Sequence, residues 1–588
     1  MPTLFGSCGV VLGSHNIRTE EILMTDNKKT GGISRRGLIG SGSVVALGAT
    51  ASAQQTTPST GKIRRWDIDA DVVVVGAGAA GLPAALRARE LGAKVVVIEE
   101  NTDVGGHAIV GNAYTNLGGG NALQKKYGIE DSADDIYLEY TRPDHPMTRY
   151  NDREIVRSFA DHNVEVYDYL VAKGVMFTTT RPTNSLAEGS TIARRIGMNR
   201  SSDDFKDTIN NTAGSGLIRP LERAARAAGV SILLQHRMVR IVREEPVAGR
   251  VIGVVATDLA SNKAVSIRAR RALISCTGGS SSNLVVRTIY DPKLTEEYQV
   301  GCEPYSRQSG DSEQLGMAVG ASLGATGGAR NEMYLSIQKT AFIGCRFGYA
   351  RWDPRGPYFS RAGASGIAVA DYQDLILVNT IGDRFYDETV GLGRTNSERG
   401  WSTFYDYFAQ AMSSAVMEVD GKKQRVGGPV WAIFDSDAVQ REGWDPRHPF
   451  VDIANGYFFS APTLGELASK LRNNPYQKHP MVGASLERTV SRYNSFVDGG
   501  KDLDFGKPSP KYKIQKPPFY AAWATPILHD TYAGLRVNKN WQVIDVFGQP
   551  IPGFYCAGEA AGGMTQHGVA RCLVGGYVAA TDAMKAPG

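Results

Sequence analysis

The sequence is poor in the features that mark several large classes of protein. Its 588 residues contain only six cysteines, which are too few and too scattered for a disulfide framework. No CxxC, CxxCH or clustered Cys/His spacing occurs, which argues against a c-type haem, a ferredoxin-type cluster and a zinc finger, and we expect no metal site. No long basic run occurs and the net charge is only +5, which argues against a nucleic-acid partner. The 42% hydrophobic and 21% charged residues are ordinary for a folded, globular chain.

Long apolar runs are also missing, and the one short run near the start has the pattern of an export signal over residues 1–53. Arg35 and Arg36 precede small and apolar residues from Leu38 to Ala51, a run too short for the ~18 residues of a membrane anchor. The run closes on Ala51-Ser52-Ala53, an A-x-A cleavage pattern, and residues 54–64 form a linker. The arginine pair predicts the twin-arginine route, with the twin-arginine translocase as a partner during export and a periplasmic or secreted location. Met24 is an alternative start to Met1.

A glycine-rich turn between two apolar runs follows. Residues 70–75 are typical of a buried parallel strand and lead into Gly76-Ala77-Gly78-Ala79-Ala80-Gly81. A helical stretch and a second apolar run, Lys94 to Ile98, come next, and Glu99 follows. This is GxGxxG in a strand–turn–helix context, which predicts a dinucleotide site, while a turn that only packs is the alternative. We predict cofactor contacts from Gly76, Gly78, Ala80, Gly81 and Glu99, because such glycines admit a pyrophosphate at a helix N-terminus and the acid can accept hydrogen bonds from a ribose.

Further motifs follow in order along the chain. With the glycine turn they are GAGAAG (76–81), GGH (105–107), TGG (277–279), SGDSEQLGMAVGA (309–321), VNTIGDRFYDE (378–388) and IPGFYCAGE (551–559). Together they resemble the fumarate reductase/succinate dehydrogenase flavoprotein superfamily, and the chain is most similar to the soluble fumarate reductases and the 3-ketosteroid dehydrogenases, from about residue 68 to its end. The resemblance implies FAD as the cofactor. It also implies flavin contacts from Gly106, His107, Gly119, Gly120, Thr277, Gly278, Gly279, Asp311, Gly558 and Glu559.

The same resemblance implies the architecture. We expect an α/β fold, with a Rossmann-like FAD-binding domain of the GR2 type and an inserted α+β capping, or clamp, domain. The FAD-binding domain would use residues 65–330 and 529–588, and the capping domain residues 331–528. Substrate and flavin would meet in the cleft between them.

Three positions match the residues with which the family grips and protonates its substrate. His529 begins a segment that resembles the family's His-His-Thr-Met-Gly-Gly, and Arg571 lies in a segment that resembles Arg-Leu-Gly-Gly. Arg394 corresponds to the family's proton-donating Arg only with a shift of two residues, and Arg399 is the alternative candidate for that role. Tyr532 is an alternative proton donor, since phenols serve in the ketosteroid relatives. Each also has a purely structural alternative: a polar residue at a hinge for His529, a surface ion pair for Arg571 and a solvated loop for Arg394.

Two departures from the family pattern bear on the substrate. The family's His near the start of the clamp has no clear match around residues 331–334, and the relay ahead of residue 378 is missing. A dicarboxylate substrate would therefore lack one of the side chains expected to bind its carboxylates. The clamp segment is instead rich in aromatic residues, which as a group fit a larger or more apolar substrate than fumarate, although most of them can be core: Tyr334, Phe342, Phe347, Tyr349, Trp352, Tyr358 and Phe359.

His107 raises the question of how the flavin is attached. In the membrane-bound relatives a His at this place carries the flavin covalently, whereas the residues around His107 follow the noncovalent pattern. We expect noncovalent FAD, with a covalent link at His107 as the alternative.

These observations predict an exported FAD-dependent oxidoreductase that acts on a CH–CH or conjugated C=C bond of a small organic substrate. A 3-ketosteroid-dehydrogenase-like dehydrogenase or oxidase is the alternative, and a flavin electron carrier without turnover is a third possibility. Since the sequence contains no haem or cluster motif, we expect an external electron donor or acceptor, such as the quinone pool, a cytochrome or oxygen.

Overall fold

The computed structural model describes residues 63–585, apart from residues 112, 146–147, 185–189, 201–212, 291, 293, 325–334, 339–341, 371 and 390–410. The predicted signal, residues 1–53, lies outside the described residues, and so does almost all of the predicted linker. Arg394, Arg399 and Tyr334 also lie outside them. Within the described ranges, no helix combines the length and the apolar character that a membrane crossing needs.

The first part of the chain contains both strands and helices. In order they are β1 (Ile68–Val75), α1 (Gly81–Glu90), β2 (Val95–Ile98), α2 (Gly106–Val110), β3 (Thr115–Asn116), α3 (Ala122–Lys126), α4 (Ala133–Glu139), α5 (Arg153–Asp161), α6 (Asn163–Ala172), β4 (Arg195–Ile196), α7 (Ser215–Ala227), β5 (Ser231–Leu233), β6 (His236–Glu245), β7 (Ala248–Asp258), β8 (Lys263–Ser275) and α8 (Leu284–Tyr290).

The middle part contains shorter strands. They are β9 (Gln299–Val300), α9 (Asp311–Ala318), β10 (Leu323–Gly324), β11 (Leu335–Gln338), β12 (Phe342–Ile343), α10 (Phe359–Ala362), β13 (Ile367–Ala368), β14 (Ile376–Val378), β15 (Val416–Val419), β16 (Lys422–Arg425), β17 (Trp431–Asp435), α11 (Ser436–Glu442), β18 (Phe458–Ala461), α12 (Leu464–Lys470), α13 (Gly483–Gly499), β19 (Phe519–Trp523) and β20 (Ile527–Thr531). The last part has β21 (Gly534–Leu535), β22 (Gln542–Ile544), β23 (Pro550–Cys556) and α14 (Ala570–Ala583).

The largest sheet has eight strands and draws on both ends of the described chain. Its order is β22-β23-β8-β1-β2-β5, with β7 beside β8 and β6 beside β7. Strand β1 runs parallel to β2 and to β8, and β23 runs parallel to β8 on its other side. Residues 72–75 of β1 are buried, as expected for a strand covered on both faces. The predicted α/β class is therefore confirmed.

A second sheet lies in the middle of the sequence. Strands β14, β17, β19 and β18 form a four-stranded antiparallel sheet. Its core includes Trp431 and Trp523, both completely buried, whose rings meet edge to face at 5.8 Å. This sheet falls inside residues 331–528, the predicted capping domain, while the boundaries of that domain stay a prediction.

Residue His529 lies on β20, a strand that pairs with one strand from the predicted capping domain and one from the predicted FAD-binding domain. Strand β20 pairs antiparallel with β11 and parallel with β9. It is followed at once by β21, after which the chain returns to the main sheet through β22 and β23. Helix α14 then packs against α1: a Cβ at Gly576 would lie 2.1 Å from the carbonyl oxygen of Ala80, so only glycine allows this approach.

A cluster of four buried charges holds the motif at residues 378–388. The Arg384 guanidinium contacts Glu388 at 2.8 Å and Asp502 at 3.0 Å, and Lys507 Nζ lies 3.4 Å from Glu388. Burial alone would raise the pKa of Glu388, but the two cations beside it outweigh burial and lower that pKa. Lys507 Nζ also donates to two backbone carbonyls, at 2.8 and 2.9 Å.

We expect Lys507→Met to lower the stability of the protein by about 3 kcal/mol, because it leaves two carbonyls and a buried carboxylate with one fewer donor. The shift of the urea unfolding midpoint measures this. The control is Lys516→Met, which breaks an exposed ion pair with Asp437 and should cost less than about 1 kcal/mol. Equal shifts for the two variants would contradict the structural role of the buried cluster.

A buried acid also lies in the first turn of α9. Glu313 is fully buried, and burial raises its pKa to about 8. A hydrogen bond to Ser280 opposes this rise, and the charge of Asp311 adds to it. The folded protein therefore binds a proton at Glu313 that the unfolded chain releases near its ordinary pKa.

The pKa of Glu313 is higher in the folded protein than in the unfolded chain. Protonated Glu313 therefore stabilises the fold at low pH, and this contribution is lost as the pH rises toward about 8. We expect Glu313→Gln to remove this loss, so that the difference in melting temperature between variant and wild type grows from pH 5 to pH 8. Calorimetry across that range measures it, with the exposed Glu130→Gln as the control. A difference that does not change with pH would show that Glu313 is already ionised in the folded protein.

Candidate cofactor and substrate site

The candidate site is built where three parallel strands of the main sheet end together. Gly76 follows β1 with a φ of +96°, and a Cβ there would lie 2.2 Å from the carbonyl oxygen of Cys276, just past β8. A Cβ at Gly81 would lie 1.8 Å from the carbonyl oxygen of Gly76. Both positions therefore require glycine, for a positive φ in one case and for close helix–strand packing in both.

Gly78 has a different surrounding. The nearest atom to a Cβ at Gly78 would be the carbonyl oxygen of Gly105, at 3.7 Å, and Gly78 lines a cavity of about 520 Å³. Helix α1 begins at Gly81, so its N-terminus lies at the same place, where Leu82 and Ala84 donate their N–H groups to the carbonyl oxygens of Gly78 and Ala80. This open glycine beside a helix N-terminus fits a pyrophosphate, because nothing but a backbone carbonyl limits its approach.

Most of the predicted contact residues line this one cavity. They are Gly76, Gly78, Ala80, Glu99, Gly106, His107, Thr277, Gly278, Asp311, His529, Gly558 and Glu559. Six predicted residues do not line it: Gly81, Gly119, Gly120, Gly279, Tyr532 and Arg571. Arg394 lies outside the described residues, so its role stays a prediction.

The glycines away from the cavity have local roles. Gly119 donates its N–H to Asp131 and Gly120 donates to Gln124, which ties the loop after β3 to the capping box of α3. A Cβ at Gly279 would lie 2.1 Å from the Thr531 hydroxyl, so Gly279 lets the strand β20 approach the end of β8.

The carboxylate of Glu99 is the acidic group at the end of β2. It accepts the backbone N–H of Ala77 at 2.7 Å and that of Asn101 at 2.9 Å. Burial raises its pKa, and these hydrogen bonds oppose that effect. Glu99 thus holds the glycine turn in shape and still lines the cavity, where it can accept from a ribose.

Arg237, on β6, is a residue at this end of the cavity that the sequence did not reveal. Its guanidinium makes two hydrogen bonds to Asp311, at 2.8 and 3.0 Å, and lies 3.9 Å from Glu100. All three side chains line the cavity. The predicted cofactor residue Asp311 is therefore held in place by an ion pair with Arg237, which is far from it in the sequence.

At the other end of the cavity, three imidazoles and a phenol form a cluster. Tyr349 and His529 stack with ring centres 4.5 Å apart, and Tyr349 Oη lies 2.5 Å from His529 Nε2. The ring of His107 meets His529 edge to face at 5.1 Å, and His567 lies 5.3 Å from His529. All four residues line the cavity.

His107 is held by a short chain of hydrogen bonds. The amide nitrogen of Gln308 donates to Nδ1 of His107, and the hydroxyl of Ser281 donates to the amide oxygen of Gln308. This arrangement fixes the ring and leaves Nδ1 as the acceptor. Whether the flavin is bonded covalently to His107 stays a prediction.

Arg571 and Tyr532 lie behind the cluster. The Arg571 guanidinium is 2% exposed and donates to the carbonyl oxygens of Met564, at 3.0 Å, and of Thr531. It also lies 5.2 Å from the centre of the Tyr532 ring, and Tyr532 is 1% exposed. Both side chains therefore support the segments that carry His529 and His567, and their predicted contact with substrate stays a prediction.

A cation–π pair occupies another wall of the cavity. Arg195 Cζ lies 3.9 Å from the centre of the Tyr114 ring, and both residues line the cavity. Its neighbour Arg194 is 1% exposed and forms ion pairs with Asp131 and Glu139, which anchor this stretch of chain. Arg195 thus presents a positive charge to the cavity from a fixed backbone.

The aromatic residues of the clamp segment divide into two groups. Tyr349 and Tyr358 line the cavity, and Tyr358 Oη lies 3.2 Å from the Thr102 hydroxyl of the nucleotide-binding part. The rest of the described set is buried in the core: Phe342, Phe347, Trp352 and Phe359. For those four the structural alternative is the correct one.

Sequence reasoning missed Tyr349, His567, Arg195 and Tyr114 as individual site residues. Tyr349 was weighed only within the aromatic group, and His567 stands four residues before the Arg571 that the motif singled out. A histidine beside a glycine in a motif segment was a usable signal for His567. Nothing local in the sequence distinguishes Arg195 from Arg194.

Comparisons with known proteins agree with this geometry. The FAD binding domain family matches residues 71–572. The acrylate reductase flavoprotein subunit of Shewanella woodyi is 25% identical over 574 residues, which cover 94% of this chain and 99% of that protein. The vinyl phenol reductase of Lactiplantibacillus plantarum is 27% identical over 508 residues, which cover 84% of this chain and 90% of that protein.

Solved structures show the same fold. The open conformation of a flavocytochrome c3 fumarate reductase has a TM-score of 0.60 at 22% identity and covers 88% of this chain and 79% of that chain. The 3-ketosteroid Δ1-dehydrogenase of Sterolibacterium denitrificans has a TM-score of 0.62 at 18% identity, and the match covers 88% of this chain and 99% of that chain. Because the family match spans most of the sequence, the chain belongs to the FAD binding domain family, and the predicted flavoprotein fold and FAD cofactor are confirmed.

Proposed function

We propose that this flavoprotein is a reductase that saturates a C=C bond conjugated to a carboxylate or an aromatic ring. One observation carries the proposal: a single cavity joins the glycine turn that fits a dinucleotide to a cluster of imidazole and phenol groups able to bind and protonate an organic substrate. A protein that only carried electrons would need no such cluster.

The relatives support the reaction class. Besides the acrylate and vinyl phenol reductases, a urocanate reductase of Eggerthella lenta is 26% identical over 504 residues. Acrylate, vinyl phenol and urocanate each carry a C=C bond next to a carboxylate or an aromatic ring. The predicted class, an FAD-dependent oxidoreductase of CH–CH and C=C bonds, is thus confirmed, whereas the substrate and the direction belong to the proposal.

Saturating a C=C bond requires a hydride at one carbon and a proton at the other, with cations or donors near the conjugated group as charge develops. Reduced FAD, when bound, supplies the hydride. The chain itself would supply the rest: Arg195 binds the acidic group, and the polar cluster at His529 supplies donors. The Tyr358–Thr102 contact joins two segments that line the cavity.

The walls of the cavity favour a substrate larger or more apolar than fumarate. Tyr114, Tyr349 and Tyr358 all line it, and an aromatic ring can pack against such side chains. Arg195 is one positive charge stacked on an aromatic ring, which suits an aromatic monocarboxylate. A 3-ketosteroid-dehydrogenase-like reaction is the second candidate, and the same tyrosines are what favour it.

We include export in the proposal. The twin-arginine pattern of residues 34–53 supports a periplasmic or secreted enzyme that folds around its cofactor before transport. Such an enzyme would take electrons from an external donor, since the sequence holds no haem or cluster motif.

Anaerobic flavin spectroscopy of the purified holoprotein tests the reaction and its direction. After reduction with dithionite, we expect cinnamate, urocanate or 4-vinylphenol to restore the oxidised flavin spectrum and to yield the saturated product by mass spectrometry. Fumarate should react more slowly. Bleaching of the oxidised flavin by saturated acids or ketones would instead show a dehydrogenase, and no response to either set would indicate an electron carrier.

Arg195→Gln tests the binding of the acid. We expect KM for cinnamate to rise about 10- to 100-fold, which corresponds to the loss of a charge-assisted hydrogen bond. KM for neutral 4-vinylphenol should not change. Steady-state kinetics with a reduced dye measures both values, and the exposed Arg268→Gln is the control. Equal changes for the acid and the neutral substrate would remove Arg195 from substrate binding.

A further inference from the structure

The phenol of Tyr349 is the best-placed acid in the described part of the cavity. Tyr349 follows β12 in the clamp segment, yet its ring stacks on His529, 180 residues away, at 4.5 Å and 29°. Its hydroxyl oxygen lies 2.5 Å from Nε2 of His529. A phenol fixed by both stacking and a hydrogen bond has one orientation, which a proton donor to carbon requires.

The other cavity tyrosines near the clamp are engaged elsewhere. Tyr305 donates its hydroxyl to the carbonyl oxygen of Val104 at 3.3 Å. Tyr358 Oη contacts the Thr102 hydroxyl at 3.2 Å. The hydroxyl of Tyr349 lies beside the imidazole of His529, a group that can return a proton after each turnover.

The position of His529 is also fixed. Its ring meets His107 edge to face at 5.1 Å, and Gln308 holds His107. A Cβ at Gly301 would lie only 3.2 Å from Cδ2 of His529, so the backbone of Gly301 packs directly against the ring. These contacts keep Nε2 facing the Tyr349 hydroxyl.

We propose that Tyr349 is the proton donor of the reaction and that His529 recharges it. This inference rests on the proposed function, in which reduced FAD supplies the hydride and its two electrons. The O–H bond of Tyr349 breaks as a C–H bond forms at the second carbon of the C=C bond. The phenolate then takes the Nε2 proton of His529 in its imidazolium form, which leaves a neutral imidazole, and the imidazole regains a proton from solvent.

This assignment differs from the donors expected from the motifs. Tyr532 is 1% exposed and does not line the cavity, and its contact with substrate stays a prediction. Tyr349 lies in the cavity and comes from the clamp segment.

A nitroalkene separates proton transfer from hydride transfer. When a C=C bond beside a nitro group accepts a hydride, the product is a nitronate, a stable anion that needs no enzyme acid to be released. An enoate or a vinylphenol gives no such stable anion and depends on the acid. We therefore compare cinnamate or 4-vinylphenol with 1-nitrocyclohexene as oxidants of the dithionite-reduced protein.

We expect Tyr349→Phe to bind FAD normally and to lose about 100- to 10,000-fold in the rate of flavin reoxidation by cinnamate or 4-vinylphenol, the range for a general acid. Reoxidation by 1-nitrocyclohexene should stay within about threefold of wild type. The variant should release the nitronate, seen by its ultraviolet absorbance, and the wild type the nitroalkane. Tyr476→Phe, a clamp tyrosine outside the cavity lining, is the matched control and should behave as wild type.

The outcomes are distinct. A wild-type rate of Tyr349→Phe on cinnamate and 4-vinylphenol, or an equal loss on these and the nitroalkene, would overturn the role of Tyr349 while leaving the reductase activity in place. A wild-type protein that is reoxidised by none of the conjugated substrates would overturn the proposed function, and the proton role with it.

Discussion

The site depends on how closely the backbone packs where β1, β8 and β23 end. Cβ atoms at Gly76, Gly81 and Gly576 would lie 1.8 to 2.2 Å from carbonyl oxygens of neighbouring segments. No side chain fits at those separations, so strand ends and the helices α1 and α14 reach their observed positions only with glycine there. This packing places the N-terminus of α1 beside Glu99 and so determines where a pyrophosphate and the rest of the cofactor can lie.

Much of this framework could be predicted because its causes are local. The apolar run of β1, the glycines after it and Glu99 lie within 32 residues of one another, and each has a backbone reason for its type. The motif at residues 551–559 implied that the chain returns to the FAD-binding domain, and β23 lies beside β8. Of the five contacts predicted from this local pattern, four line the cavity: Gly76, Gly78, Ala80 and Glu99.

The substrate end could not be predicted in the same way. Tyr349 and His529 are 180 residues apart, and only the tertiary fold brings their rings together. Arg571 shows another limit: its guanidinium donates to the carbonyls of Met564 and Thr531, a structural role that the motif did not predict, while its contact with substrate stays a prediction. Buried carbonyls need donors, and the sequence does not tell which cation serves them.

The return of the chain to its first sheet has a consequence for biosynthesis. Strand β23 lies beside β8, and Gly558, His567 and Cys572 complete the cavity wall, so the cofactor chamber stays open on one side until the final segment has left the ribosome. A polypeptide that stops before β23 would lack both that strand and that wall. Flavin loading in this cavity therefore depends on residues that are synthesised hundreds of positions after the glycine turn.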